Sequence, residues 1–131
     1  MSLRRTIAAA ALVGAAIAGY LTTVHYAHTA PICTTGGCEK VQHSSYATLA
    51  GIPVALLGLV AYIAILGTAL VRGVPAALAG AVLALSGVAF SGYLLWAQLA
   101  RIHAICQWCL ANDAVAAVVA VLCVARLLRE P

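Results

Sequence analysis

Four long stretches with almost no formal charge decide what this chain can fold into: about residues 7–26, 51–71, 75–100 and 107–128. A bilayer hydrocarbon core of ~30 Å takes ~20 residues of helix to cross, and each stretch supplies that length. Length and absence of charge, rather than periodicity, carry the assignment. The fourth stretch is interrupted by Asn112 and Asp113 but is uncharged from Ala114 to Ala125. Pro53 and Pro75 fall where the first turns should lie, positions at which a missing N–H is harmless. Composition agrees: 65% of the 131 residues are apolar and 8% charged, with Glu39, Asp113 and Glu130 the only acids. Ordinary globular domains run about 45–50% apolar and about 25% charged. A water-soluble fold, a disordered tail and a nucleic-acid module are therefore excluded. The expectation is an all-α integral membrane protein, a four-transmembrane-helix bundle forming one domain over residues 1–131, with an outer loop at about 27–50.

The first stretch is read as a spanning helix rather than a cleaved leader. Cleavage after Ala27 or Ala30 would put His25 or His28 where a small residue is needed, and the apolar run exceeds a usual leader core. Orientation follows from Lys and Arg in short connections. Arg4, Arg5, Arg72, Arg126 and Arg129 fall on one side, Lys40 and Arg101 on the other, which predicts cytoplasmic termini. The net charge of +4 is in this reading an orientation signal and not the mark of an acidic partner. The loop at 27–50, the connection from Arg101 to Cys106 and all four histidines then face outward. The outer face of a bacterial or archaeal inner or plasma membrane is oxidising and permits disulfides.

Four of the five cysteines share that outer boundary. Cys33 and Cys38 form a C-x4-C pair with Thr34, Thr35, Gly36 and Gly37 between them; Cys106 and Cys109 form a C-x-x-C pair where the fourth helix starts. Unpaired N–H groups and the positive end of the helix dipole favour a thiolate at a helix N-terminus. At i and i+3 two side chains share a face, roughly 5–6 Å apart, so a disulfide there can open and close with little motion. Inert structural disulfides, or a zinc or copper site completed by His43 or His103, are alternative uses of the same residues. Cys123 lies ~21 Å further along the helix than Cys109 at 1.5 Å per residue and reads as a small buried hydrophobe. Two thiol pairs on one membrane face suggest a relay. With no haem, flavin or nucleotide motif in the sequence, a lipid-soluble quinone is the expected acceptor.

The run from Cys38 through Glu39, Lys40, Val41, Gln42, His43, Ser44, Ser45 and Tyr46 to Ala47, followed by Gly51-Ile52-Pro53, Gly58 and Tyr62, resembles the bacterial and archaeal branch of the vitamin K epoxide reductase family. Cys106-Gln107-Trp108-Cys109-Leu110 is similar to its CxxC segment. The related disulfide-bond protein B family has its two pairs in the opposite order. The resemblance implies that Cys33 and Cys38 are a loop shuttle pair, Cys106 and Cys109 the catalytic pair, and Cys109 the thiolate that meets the quinone ring. It implies that Ser44 helps hold the loop over the site; a turn or helix-cap hydroxyl is the alternative. Residues 40–50 would form a short interfacial half-helix carrying Val41, Tyr46 and Leu49. Vertebrate members have a quinone-bonding tyrosine where this chain has Asp113, and no asparagine stands on the second helix to match their other donor. An ionisable residue inside a membrane segment is a functional candidate, so Asp113 is a candidate quinone contact. Its alternative is a carboxylate hydrated near the outer interface.

The implied activity is thiol–disulfide exchange through mixed disulfides, passing electrons from the dithiols of a thioredoxin-fold partner on the outer face through Cys33/Cys38 and Cys106/Cys109 to ubiquinone, menaquinone or vitamin K. The chain ends at Pro131 without a fused thioredoxin-like domain, so that partner is expected to be a separate protein. Reduction of vitamin K quinone or its epoxide is the alternative activity. A non-enzymatic metal-binding membrane protein is the alternative class; it leaves Ser44-Ser45-Tyr46 and Gly51-Ile52-Pro53 without a purpose, and Met1 is the only methionine.

Overall fold

A computed structural model describes residues 2–27, 48–49, 52–102 and 107–129. Helix α1 spans Leu3–Tyr26, α2 Val54–Leu70, α3 Val74–Ala97 and α4 Gln107–Arg129, with a π-helical turn over Gln98–Ile102 continuing α3. Three helical stretches, Leu3–Tyr26, Val74–Arg101 and Gln107–Arg129, are long and apolar enough to cross a membrane, while Val54–Leu70 is a shorter apolar helix of 17 residues. At 1.5 Å per residue α2 is about 26 Å long, at the lower limit for a span. The protein is an integral membrane protein of helical architecture.

Each helix end has a local cause. Ser2 caps α1, its Oγ accepting from the Arg5 N–H at 3.3 Å. Thr22 and Thr23 donate their hydroxyls to the carbonyls of Ala18 and Gly19, at 2.7 and 2.9 Å; in an apolar surrounding this satisfies groups that would otherwise be stranded. Between α2 and α3 the chain turns at Gly73, whose φ of 115° falls where only glycine is unstrained. Pro75 then sits in the first turn of α3, as expected.

The second helix starts later than its sequence suggests. Pro53 occupies the N-cap, with ψ at 133°, and Ile52–Pro53 forms a short strand, β2, antiparallel to β1 at Thr48–Leu49. The residue before a proline is pushed out of the α region, so Ile52 stays extended and the helix begins at Val54. The interfacial half-helix expected over 40–50 is corrected at its end: Thr48 and Leu49 are strand. Residues 40–47 lie outside the described residues.

The four helices form a ring. Helix α1 packs against α2 and α4, and α3 against α4 and α2. Small residues let the backbones approach: Ala11, Ala18, Ala69, Ala81, Ala84 and Ala120 are all buried in the common core with Ile7, Tyr62, Ile65 and Val119. At Gly14 the approach is closest, because a Cβ there would stand 2.4 Å from Cε1 and Cζ of Tyr62. Cys123 is buried in this core, as its sequence position predicts. Arg126 is not the exposed loop cation that charge counting suggests. It is 4% exposed, and its guanidinium donates to the carbonyls of Thr68, at 2.7 Å, and Val71, while Arg4 donates to Ala69 at 3.3 Å. Two arginines thus donate to carbonyls of the last turn of α2 and of its C-cap residue Val71, where the i+4 donors of the helix have run out.

Candidate functional site

Helix α4 presents one face to the ring interior. Cys109, Asn112, Asp113, Ala116 and Val119 recur at helical spacing and all line a cavity of about 350 Å³ between the helices. Its remaining walls are apolar or small: Ala18 and Leu21 from α1, Ala55, Gly58, Ala61 and Ile65 from α2, and Leu83, Gly87, Phe90 and Leu94 from α3. Polar side chains enter at a few points only, from Tyr62, Ser86, Ser91 and Gln98 besides those of α4. Apolar walls with a few converging polar groups are the usual make-up of a small-molecule site.

The start of α4 is held from two sides. Trp108 packs on Tyr20 of α1, ring centroids 4.9 Å apart and planes at 50°. Tyr62, fixed against Gly14, donates its hydroxyl to the Asn112 carbonyl at 3.2 Å. The turn that carries Cys109 is therefore tied to α1 and to α2. Ser91 on α3 hydrogen-bonds the carboxyl group of Asp113. The other Asp113 oxygen, Oδ2, and Oδ1 of Asn112 are buried with no hydrogen-bond partner. An unmet buried polar atom costs roughly 1–3 kcal/mol; here two of them sit on successive residues, three and four positions beyond Cys109. Oδ2 of Asp113 is thus shielded from solvent by the surrounding helices.

Of the residues singled out in the sequence, Cys109 and Asp113 meet on one cavity wall. Cys33, Cys38, Ser44 and Cys106 lie outside the described residues. Among the described residues no three His, Cys, Asp or Glu side chains are grouped to hold a metal ion. Sequence reading missed Asn112 as a site residue, although its i+3 spacing from Cys109 signals the shared face. It also missed Ser91 and Gln98, two polar residues seven positions apart in an apolar helix and hence on one side of it.

The cavity's walls come from every helix of the ring, so its character belongs to the fold as a whole. A match to the model of the Vitamin K epoxide reductase family runs over residues 5–124. That span takes in the cavity, both cysteine pairs and nearly the full length of the bundle. Family members are membrane oxidoreductases of thiols and quinones, associated in general with vitamin K and its quinone relatives. This chain belongs to the vitamin K epoxide reductase family.

Proposed function

We propose that the chain is a quinone-dependent thiol oxidoreductase that supports disulfide-bond formation, oxidising the dithiols of a separate thioredoxin-fold protein on the outer face. The observation that carries this reading is the single α4 face on which Cys109, Asn112 and Asp113 adjoin an otherwise apolar cavity. The residues present fit a quinone: apolar walls for the ring faces and the attached chain, and polar groups beside the thiol for the ring oxygens. A quinone bound there supplies a two-electron, two-proton acceptor.

The residues divide the work. A partner thiolate attacks Cys33 and releases Cys38; Cys38 attacks Cys106 and releases Cys109 as a thiolate, each step exchanging one S–S bond for another. The partner's second thiolate then attacks the mixed disulfide, leaving the partner oxidised and Cys33 free; Cys33 attacks the Cys38–Cys106 bond, which closes the loop disulfide again and leaves Cys106 and Cys109 reduced. Their reclosure yields two electrons and two protons, which balances reduction of a quinone to its quinol. Asp113, when protonated, can release a proton to a ligand in the cavity it lines, and the Asn112 amide can orient a ring oxygen. Tyr62 and Trp108 hold the helix start, so that the thiol and these groups keep one geometry. Ser44 helps to hold the shuttle loop over the site.

The proposed arrangement has all four helices spanning the bilayer as one membrane domain over 1–131. Helix α2 makes its crossing with help from Ile52-Pro53 and Val71. The termini are cytoplasmic and the loop at 27–50 lies outside, in a bacterial or archaeal inner or plasma membrane. The test is quinone reduction by the purified protein in lipid nanodiscs, driven by a reduced thioredoxin-fold substrate. Turnover that is lost in Cys109→Ala is expected. Near-normal turnover in that variant would overturn the relay.

A further inference from the structure

Gln98 is the most deeply buried polar side chain of the cavity wall, at 2% exposure, and it sits at the first position of the π-helical turn Gln98–Ile102. Single π turns inside helices are rare and concentrate at functional sites. This one separates two environments sharply. Ala97 and Gln98 are buried while Trp96 and Leu99 on either side are 47% and 57% exposed. Arg101 lies over the Trp96 ring, 5.5 Å from its centroid, five residues on, which is the spacing a π turn brings into register. That exposed clasp fixes the outside of the turn. On its inside is an amide in a cavity whose other α3 lining is Leu83, Ala84, Gly87, Phe90, Leu94 and two serines. A side-chain amide has two N–H donors and an acceptor oxygen with two lone pairs, so it can serve more than one partner at once.

We infer that Gln98 is a hydrogen-bond donor to a ring carbonyl of the bound substrate, approaching from α3 while Asn112 and Asp113 approach from α4. The inference rests on the quinone reading above and deepens it. Ligand classes with a single polar edge would satisfy only the α4 groups. A 1,4-quinone has carbonyl oxygens on opposite edges of its ring and can engage both helices at once.

The experiment uses the full chain in nanodiscs with dithiothreitol as reductant, a short-chain ubiquinone for kinetics, and carbonyl-labelled 2-methyl-1,4-naphthoquinone for infrared difference spectra. Gln98→Met keeps the length and removes the donors; Gln98→Asn keeps the amide but withdraws it by one methylene. Both should raise KM for the quinone, about tenfold for Met, the contribution of roughly one neutral hydrogen bond. Both should also move one carbonyl band of the bound probe upward, toward its position in apolar solvent. Leu99→Ala, on the exposed side of the same turn, should change neither. Wild-type KM and an unmoved band in Gln98→Asn would overturn the inference, even if the Met variant does not assemble. If wild-type protein binds the probe without reducing it, the proposed function falls, and the band comparison alone then upholds or overturns the role of Gln98.

Discussion

Replacing Gly14 by alanine tests the packing that positions the site. The new Cβ would stand 2.4 Å from Cε1 and Cζ of Tyr62 and 2.7 Å from Cδ1, against ordinary carbon contacts of about 3.5–4.0 Å. The ring must therefore retreat by about 1 Å, and since it is 5% exposed the room for that lies on the side of the cavity it lines. Overpacking of this kind costs roughly 1–3 kcal/mol. Retreat also breaks the 3.2 Å bond from the Tyr62 hydroxyl to the Asn112 carbonyl, worth about 1 kcal/mol net. The better helix propensity of alanine returns up to about 1 kcal/mol. The balance is a destabilisation of about 2 kcal/mol. In a Tyr62→Ala background both the clash and the bond are gone, and Gly14→Ala should be neutral to favourable by up to about 1 kcal/mol. The pair should thus show a coupling of about 2–3 kcal/mol, as residues in direct contact do. The assay is reversible unfolding by sodium dodecyl sulfate in mixed micelles, followed by circular dichroism, on all four corners of the cycle. An equal cost of Gly14→Ala in both backgrounds would refute the reasoning, because the penalty would then not come from the tyrosine ring.

Arg126→Met should destabilise the protein by about 3 kcal/mol in the same assay, since it strips two charge-assisted bonds from the C-terminal carbonyls of α2; Arg126→Lys, which cannot fork between Thr68 and Val71, should recover less than half. Cys33→Ala should block oxidation of a thioredoxin-fold substrate while leaving dithiothreitol-driven quinone reduction largely intact, because in the proposed relay a small thiol reduces the second pair without the loop pair; equal losses with both reductants would refute the division of labour. A chain carrying Cys33→Ser and Cys109→Ser should trap a stable Cys38–Cys106 disulfide, for which the two Cα atoms must come within roughly 7 Å. Mass mapping that finds both as free thiols under oxidising conditions would show the order of exchange to be wrong.

How much was legible in the sequence depended on the range of the interaction that decides each feature. The helical membrane class needed only a count of uncharged residues, because the bilayer imposes its thickness on any segment that crosses it. The shared face of Cys109 and Asp113 followed from helical spacing, and burial of Cys123 from its place deep in an apolar run. Local chemistry was misjudged at Ile52-Pro53, where the restriction that proline places on its predecessor delays α2 to Val54 and leaves a two-residue strand.

By itself the sequence determined that this is a helical membrane protein carrying a C-x4-C and a C-x-x-C pair, and its motifs identified the family. These are properties of consecutive residues, readable one segment at a time. Only the tertiary structure decided that Asn112, Ser91 and Gln98 share a cavity with Cys109, that Tyr62 spans from Gly14 to the Asn112 carbonyl, and that Arg126 turns inward to cap α2 instead of facing water. Each of those depends on which helix stands beside which and in what rotation. A uniformly apolar helix carries little periodic signal to fix its rotation, so that information resides in the close contacts of small residues between chain-distant helices.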